Sequence, residues 1–231
     1  MRSRDFLLTI HCSLFTIGTL DVRAAARPRD ISARMVNVLA IGWLDMANIL
    51  VVVGSPRKGG NTEILLSRIA EGAASAGASV ETIHLGDLQI RECDGCHACW
   101  RGRRCSKDDD MRDIYAKIAA CETIVFGTPV YWYGPTALMK AFIDRFVYFN
   151  CQTNRSMVRG KRAVVAIVLE ETHEETWRPL IEFFEKSLGY LEMNFAGTIV
   201  VPGVGDKGAI RQQPQRLEEA YSLGGRLAVG R

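Results

Sequence analysis

The sequence predicts an α/β protein built on one doubly wound, five-stranded parallel sheet, and three observations carry that prediction. First, five short apolar runs, at residues 49–53, 79–85, 123–127, 163–169 and 198–201, alternate with five stretches of helical periodicity. Second, the runs ILVVV (49–53) and AVVAIVL (163–169) are unbroken by polar residues, as strands covered on both faces are. Third, the loops at 54–62, 86–107 and 128–135 all follow strands, so they gather at the carboxyl edge, where open sheets of this kind bind ligands. With 231 residues and no visible repeat, the chain suits one sizeable domain with right-handed crossovers.

The elements follow in order. After the first strand comes the polar turn GSPRKGGNT (54–62), then a helix with Leu65, Leu66, Ile69, Ala70 and Ala73 inward. The second strand, SVETIHL, alternates apolar and polar residues. Acidic Asp108–Asp110 opens a helix with Met111, Ile114, Tyr115 and Ile118 inward. Strand three (TIVFG) runs into TPVYWYGP, and Pro135 suits the first turn of a helix facing inward through Leu138, Phe142, Phe146 and Phe149. After strand four, Thr172 and Glu175 predict a capping box for a helix carrying Trp177, Leu180, Ile181, Phe184 and Leu188 and stopped by Gly189. Pro214 opens a last helix with Leu217, Ala220, Tyr221 and Leu227.

Composition excludes several classes. The formal charge of +3 comes mostly from residues 1–45, which hold six Arg and four Asp; the remainder is near neutral. Neither a nucleic-acid footprint nor a polybasic membrane patch follows. Arg2 and Arg4 before the apolar stretch 6–20 resemble a secretory signal, but Thr9, His11, Ser13, Thr16 and Gly18 interrupt it. It is also too short and polar to span a membrane. Met46 sits directly before the first strand, so residues 1–45 read as an extension outside the fold, with upstream sequence from an early start codon as one source. The domain proper is then 46–231, in the cytoplasm, with export the lesser alternative.

Two constellations carry chemistry. A strand, a glycine-containing turn and a helix expose backbone amides at a helix's positive end, where Ser55, Asn61 and Thr62 can add hydrogen bonds to a phosphate and Arg57 charge. An ordinary βα turn is the plain alternative. Neither the triphosphate nor the dinucleotide glycine pattern is present. On the same edge, Tyr131, Trp132 and Tyr133 stand between a proline and a glycine, offering faces for a flat heterocycle. The loop 86–107 holds four of the seven cysteines, Cys93, Cys96, Cys99 and Cys105, in the spacing C-x2-C-x2-C-x5-C. Such thiolates suit an iron–sulfur cluster or zinc, with bare redox thiols or disulfides as further options. Cys121 and Cys151 read as isolated thiols, and His97 as a solvated loop residue.

Taken together, GSPRKGGNT, the cysteine loop running into KDDDM, and GTPVYWYGPTALMKAFIDR resemble the iron–sulfur flavoproteins, within the flavodoxin-like NAD(P)H-dependent FMN reductases. The resemblance covers about 47–203. It implies a sheet of order 2-1-3-4-5 and an FMN phosphate held by Ser55, Arg57, Asn61 and Thr62 with the loop at Lys58, Gly59 and Gly60. It further implies an isoalloxazine ring against Pro129, Val130, Tyr131, Trp132 and Gly134, and a [4Fe–4S] cluster on Cys93, Cys96, Cys99 and Cys105. One departure stands out: where many relatives carry a glycine-rich loop, this chain has Glu170, Glu171, Glu174 and Glu175.

The function expected on that basis is electron transfer from NAD(P)H or a ferredoxin-like donor to a small-molecule or protein acceptor, through FMN and a cluster. Rivals are an NAD(P)H-dependent FMN, quinone, nitro or azo reductase with bare or zinc-binding cysteines, and a non-catalytic electron carrier. No side chain is nominated as a general acid or base. A homodimer or homotetramer is expected, because the aromatic loop and Trp100 leave much apolar surface for a monomer.

Overall fold

The structure, a computed structural model, describes residues 47–229, and the extension read over 1–45 lies outside the described residues. Strands β1 (Asn48–Val53), β2 (Ser79–His84), β3 (Thr123–Pro129), β4 (Arg162–Val168) and β5 (Asn194–Val201) pair in parallel in the order β2-β1-β3-β4-β5. Helices α1 (Asn61–Ser75), α2 (Met111–Ala120), α3 (Ala137–Asp144), α4 (Glu174–Tyr190) and α5 (Pro214–Val229) connect and flank them.

Alternate residues of each strand point to opposite faces, so the unbroken apolar runs build two cores. Leu50, Val52, Ile124, Phe126, Val165 and Ile167 pack under α2, α3 and α4. Ile49, Val51, Val53, Val125, Val164 and Ala166 pack under α1 and α5. Helices α1 and α5 touch backbone to backbone. A Cβ on Gly72 would lie 1.9 Å from the Tyr221 carbonyl oxygen, and one on Gly224 would lie 1.9 Å from that of Ile69.

Several local expectations need correction. Pro135 stands outside α3, whose N-cap is Thr136, and Phe146 and Phe149 are buried from a 3₁₀ segment, Arg145–Asn150, that continues the helix. The capping box at Thr172 is absent: α4 starts from His173 without a side-chain cap, its first turn carrying Glu174 and Glu175. Gly189 does not stop α4, which runs one residue further. Among the described residues no helix is long and apolar enough to cross a membrane.

Candidate functional site

The strand order reverses between β1 and β3, which opens a crevice at their carboxyl ends. The Gly54 amide donates to the Gly127 carbonyl at 2.7 Å, extending the ladder past β1. A Cβ on Gly54 would come within 2.9 Å of the Gly127 backbone carbonyl oxygen, which cannot swing aside as a side chain could, so the close approach favours glycine there. Buried Thr136 then joins the two loops. Its hydroxyl donates to the Gly54 carbonyl and accepts from the Met139 amide, while its own amide donates to the Thr128 Oγ1 at 3.2 Å. Thr136 was missed in the sequence; the signal was a hydroxyl residue directly before an apolar helical stretch.

Helix α1 has no side-chain cap at Gly60, so its first-turn amides lack intrahelical partners and face the crevice at the positive helix end. A cavity of about 430 Å³ lies there, within the roughly 300–1,000 Å³ usual for ligand sites. Ser55, Arg57, Asn61, Thr62, Pro129, Val130, Tyr131 and Trp132 line it, joined by Val168 to Glu171, Val204 and Gly205. Lys58, Gly59, Gly60 and Gly134 do not, and they shape the loops instead. The Lys58 ammonium pairs with Asp87 at 2.5 Å, and the Gly59 amide is taken by the Glu63 carboxylate at 2.7 Å. The Gly60 amide donates to the Arg57 carbonyl at 3.0 Å. Asn61 acts as a clamp: its Nδ2 donates to the carbonyls of Val204 (2.9 Å) and Asp206 (2.8 Å), and its Oδ1 accepts from the Ile210 amide at 3.3 Å. Its side chain therefore holds the segment after β5, leaving the backbone amide for an anion. Arg57 donates to the Gly205 carbonyl at 3.3 Å from the same side.

The aromatic loop is a two-residue turn. Tyr131 and Gly134 exchange backbone hydrogen bonds of 2.9 and 3.1 Å, with Trp132 (φ 52°) and Tyr133 (φ 63°) both left-handed at its tip. Asn-Gly favours such turns, whereas a bulky residue costs about 1–2 kcal/mol in that conformation. The Val130 amide donates to the Val168 carbonyl at 3.0 Å, seating the turn beside the end of β4, and Trp132 is 96% exposed. Replacing Trp132 and Tyr133 by Asn and Gly should stabilise the fold by about 1–2 kcal/mol per relieved residue in urea unfolding. Unchanged stability would mean the turn relaxes in solution.

The cysteine loop is tied down by other groups. Trp100 Nε1 donates to the Val147 carbonyl at 3.0 Å, and the Arg145 guanidinium reaches the Cys105 Sγ at 3.3 Å. His97 meets the edge of Trp100 at 4.7 Å between centroids. The Lys107 ammonium beside Asp94 holds that carboxyl down to about 2. Burial pushes the Cys99 thiol up, and Cys151 and then Cys105 push it further. Cys93, Cys96, Cys99 and Cys105 all line one cavity, but its volume of about 20 Å³ is room for roughly one water. Among the described residues, no three His, Cys, Asp or Glu side chains converge to hold a metal ion. The donor set is therefore apt for a cluster, while its arrangement does not fit one.

A sheet of this order, with an uncapped helix start and an aromatic turn on the two sides of its switch point, defines a flavodoxin-like protein. Comparison agrees. Residues 47–177 match the NADPH-dependent FMN reductase family. A putative NAD(P)H-dependent FMN-containing oxidoreductase of Bacillus subtilis is 30% identical over 184 residues, covering 76% of this chain and 95% of that protein. An iron–sulfur flavoprotein of Archaeoglobus fulgidus is 43% identical over 97 residues, 42% of this chain, and the match spans only 47% of that relative's length. Among solved structures, the Trp repressor binding protein of Bacillus subtilis superposes with a TM-score of 0.57 at 29% identity, covering 78% of this chain and 98% of that one. The chain belongs to the NADPH-dependent FMN reductase family, FMN-binding oxidoreductases of the flavodoxin-like fold.

Proposed function

We propose that this chain holds FMN in the 430 Å³ cavity and uses it to reduce a small acceptor, of the quinone, nitro or azo type, at the expense of NAD(P)H. One observation carries the reading: the uncapped start of α1 and the aromatic turn after β3 line the same cavity. The phosphate is assigned to the α1 amides, the Ser55 and Thr62 hydroxyls and the Arg57 charge, the ring to Pro129, Val130, Tyr131 and Trp132. Bound FMN supplies hydride and single-electron chemistry. The chain's share is to bind and orient the ring and to present the acceptor to it, with no side chain assigned to proton transfer. Flavin identification on purified protein, followed by bleaching with NADPH and NADH, tests the proposal; protein that retains FAD instead, or binds no flavin on reconstitution, overturns it. Arg57→Ala should weaken FMN binding about tenfold, as expected for losing one charge-assisted contact, without unfolding the domain. An unchanged dissociation constant removes Arg57 from the site.

A second reading, an electron-transfer flavoprotein carrying a [4Fe–4S] cluster on Cys93, Cys96, Cys99 and Cys105, is favoured by the gathering of those four thiols at one cavity and by the name of the Archaeoglobus relative. It requires the loop to rearrange around the metal. Iron, acid-labile sulfide and zinc analysis of anaerobically purified protein separates the two readings. We also assign a homo-oligomer, supported by the exposure of Trp100 and Tyr133, which lie outside the cavity lining. A monomeric mass by light scattering would refute it.

A further inference from the structure

We infer that the outer wall of the cavity selects planar, cationic acceptors over anionic ones. The inference deepens the proposed function, and it rests on that reading for turnover though not for binding. Two sides of the cavity mouth bring complementary features together. One is the aromatic turn, where Tyr131 and Trp132 line the cavity yet remain 43% and 96% exposed. The other is the end of β4, where Glu170 and Glu171 line the same space. The backbone fixes this juxtaposition: Val130 bonds to the Val168 carbonyl at 3.0 Å and Val204 to the Leu169 carbonyl at 2.9 Å, so turn, carboxylates and the loop after β5 share one rim. Glu170 lies over Gly205, whose Cβ, if present, would meet the Glu170 Cδ at 2.8 Å.

Among the described residues neither carboxylate has an ion-pair or hydrogen-bond partner. Among the described residues the cavity's one basic side chain is Arg57, which donates to the Gly205 carbonyl. Arg57 and Glu170 thus flank the same glycine, and among the described lining residues two carboxylates outnumber one guanidinium, which leaves that wall acidic. A flat cation at the mouth would meet aromatic side chains, which attract cations, and two carboxylates without an ion-pair partner. A flat anion would meet the same carboxylates as repulsion, and the discrimination is a difference between these two cases.

The test is calorimetric titration of the oxidised protein, as purified, with the cationic dye methylene blue and with anthraquinone-2-sulfonate at low ionic strength. Methylene blue should bind the more tightly. The double variant E170Q/E171Q should weaken it about five- to tenfold and leave the sulfonate unchanged or tighter, and added salt should shrink the preference. In turnover the dye cation takes a hydride equivalent from NADPH, giving the neutral leuco dye and NADP⁺, and kcat/KM should fall in the variant by the same factor. Equal binding of both dyes, or a double variant within twofold of the parent, overturns the inference. Since binding is read without turnover, it can fail while FMN is present, and the FMN reading can fail while the dye preference stands.

Discussion

Arg145→Met is expected to lower stability by about 3–5 kcal/mol, the usual cost of stranding one member of a buried ion pair. The Arg145 and Asp109 side chains are 1% and 2% exposed and meet at 2.6 Å. The guanidinium also donates to the Arg91 carbonyl at 2.9 Å, and Asp109 accepts from the Arg91 and Met111 amides at 3.1 and 3.3 Å. Burial alone would raise the Asp109 carboxyl, but the Arg145 hydrogen bond and the Arg91 amide outweigh it and hold the group below its ordinary 3.8. A depressed carboxylate contributes stability above its unfolded value, and that contribution disappears as pH falls through the folded value. In the variant the stranded Asp109 favours protonation, so the stability gap between variant and parent should narrow from pH 7 toward pH 4. Urea unfolding at both pH values reads this directly, and Arg145→Met with Asp109→Asn should recover part of the loss. A single-variant cost under about 1 kcal/mol would mean that the pair is solvated in solution.

The same network explains which parts of the site were legible in the sequence. The strands were readable because Ile49 to Val53 and Ala163 to Val168 are buried on both faces, which leaves an apolar run with no competing period. The loops after β1 and β3 were readable because glycine, proline and adjacent aromatics mark turns at the ends of buried strands. Side-chain roles inside those loops were not. Asn61 and Lys58 look equally suited to a phosphate in the sequence, which gives no sign that their side chains bond to Val204, Asp206 and Asp87, two of the three over 140 residues away. The cysteine spacing announced a cluster of donors without saying how Arg145, distant in sequence, would anchor Cys105. The capping box at Thr172 misled because Glu171 to His173 run on as loop before α4 begins.

Gly224→Ala is expected to destabilise the protein and to loosen FMN, against the usual sign for that substitution. In a helix interior, glycine to alanine normally stabilises by up to about 1 kcal/mol. Here the new methyl would stand 1.9 Å from the Ile69 carbonyl oxygen and 2.8 Å from the Ala73 nitrogen, all backbone atoms of α1 that no rotamer change can move aside. Overpacking of this kind costs about 1–3 kcal/mol or more, so the net effect is a loss. Gly72→Ala should behave alike, because its methyl would strike the Tyr221 carbonyl oxygen of α5 at the same 1.9 Å. Either clash pushes α1 from α5, and α1 carries at its other end the uncapped amides assigned to the phosphate. FMN affinity should therefore fall about tenfold, although neither glycine lines the cavity, since a misplacement near 1 Å suffices for large losses of such contacts. Gly189→Ala supplies the contrast: it lies inside α4 with nothing within 4 Å of its added methyl, so it should stabilise by a few tenths to about 1 kcal/mol and leave FMN binding alone. Thermal unfolding and flavin titration of the three variants measure both effects, and a stabilising Gly224→Ala would show that the helices have room the close approach denies.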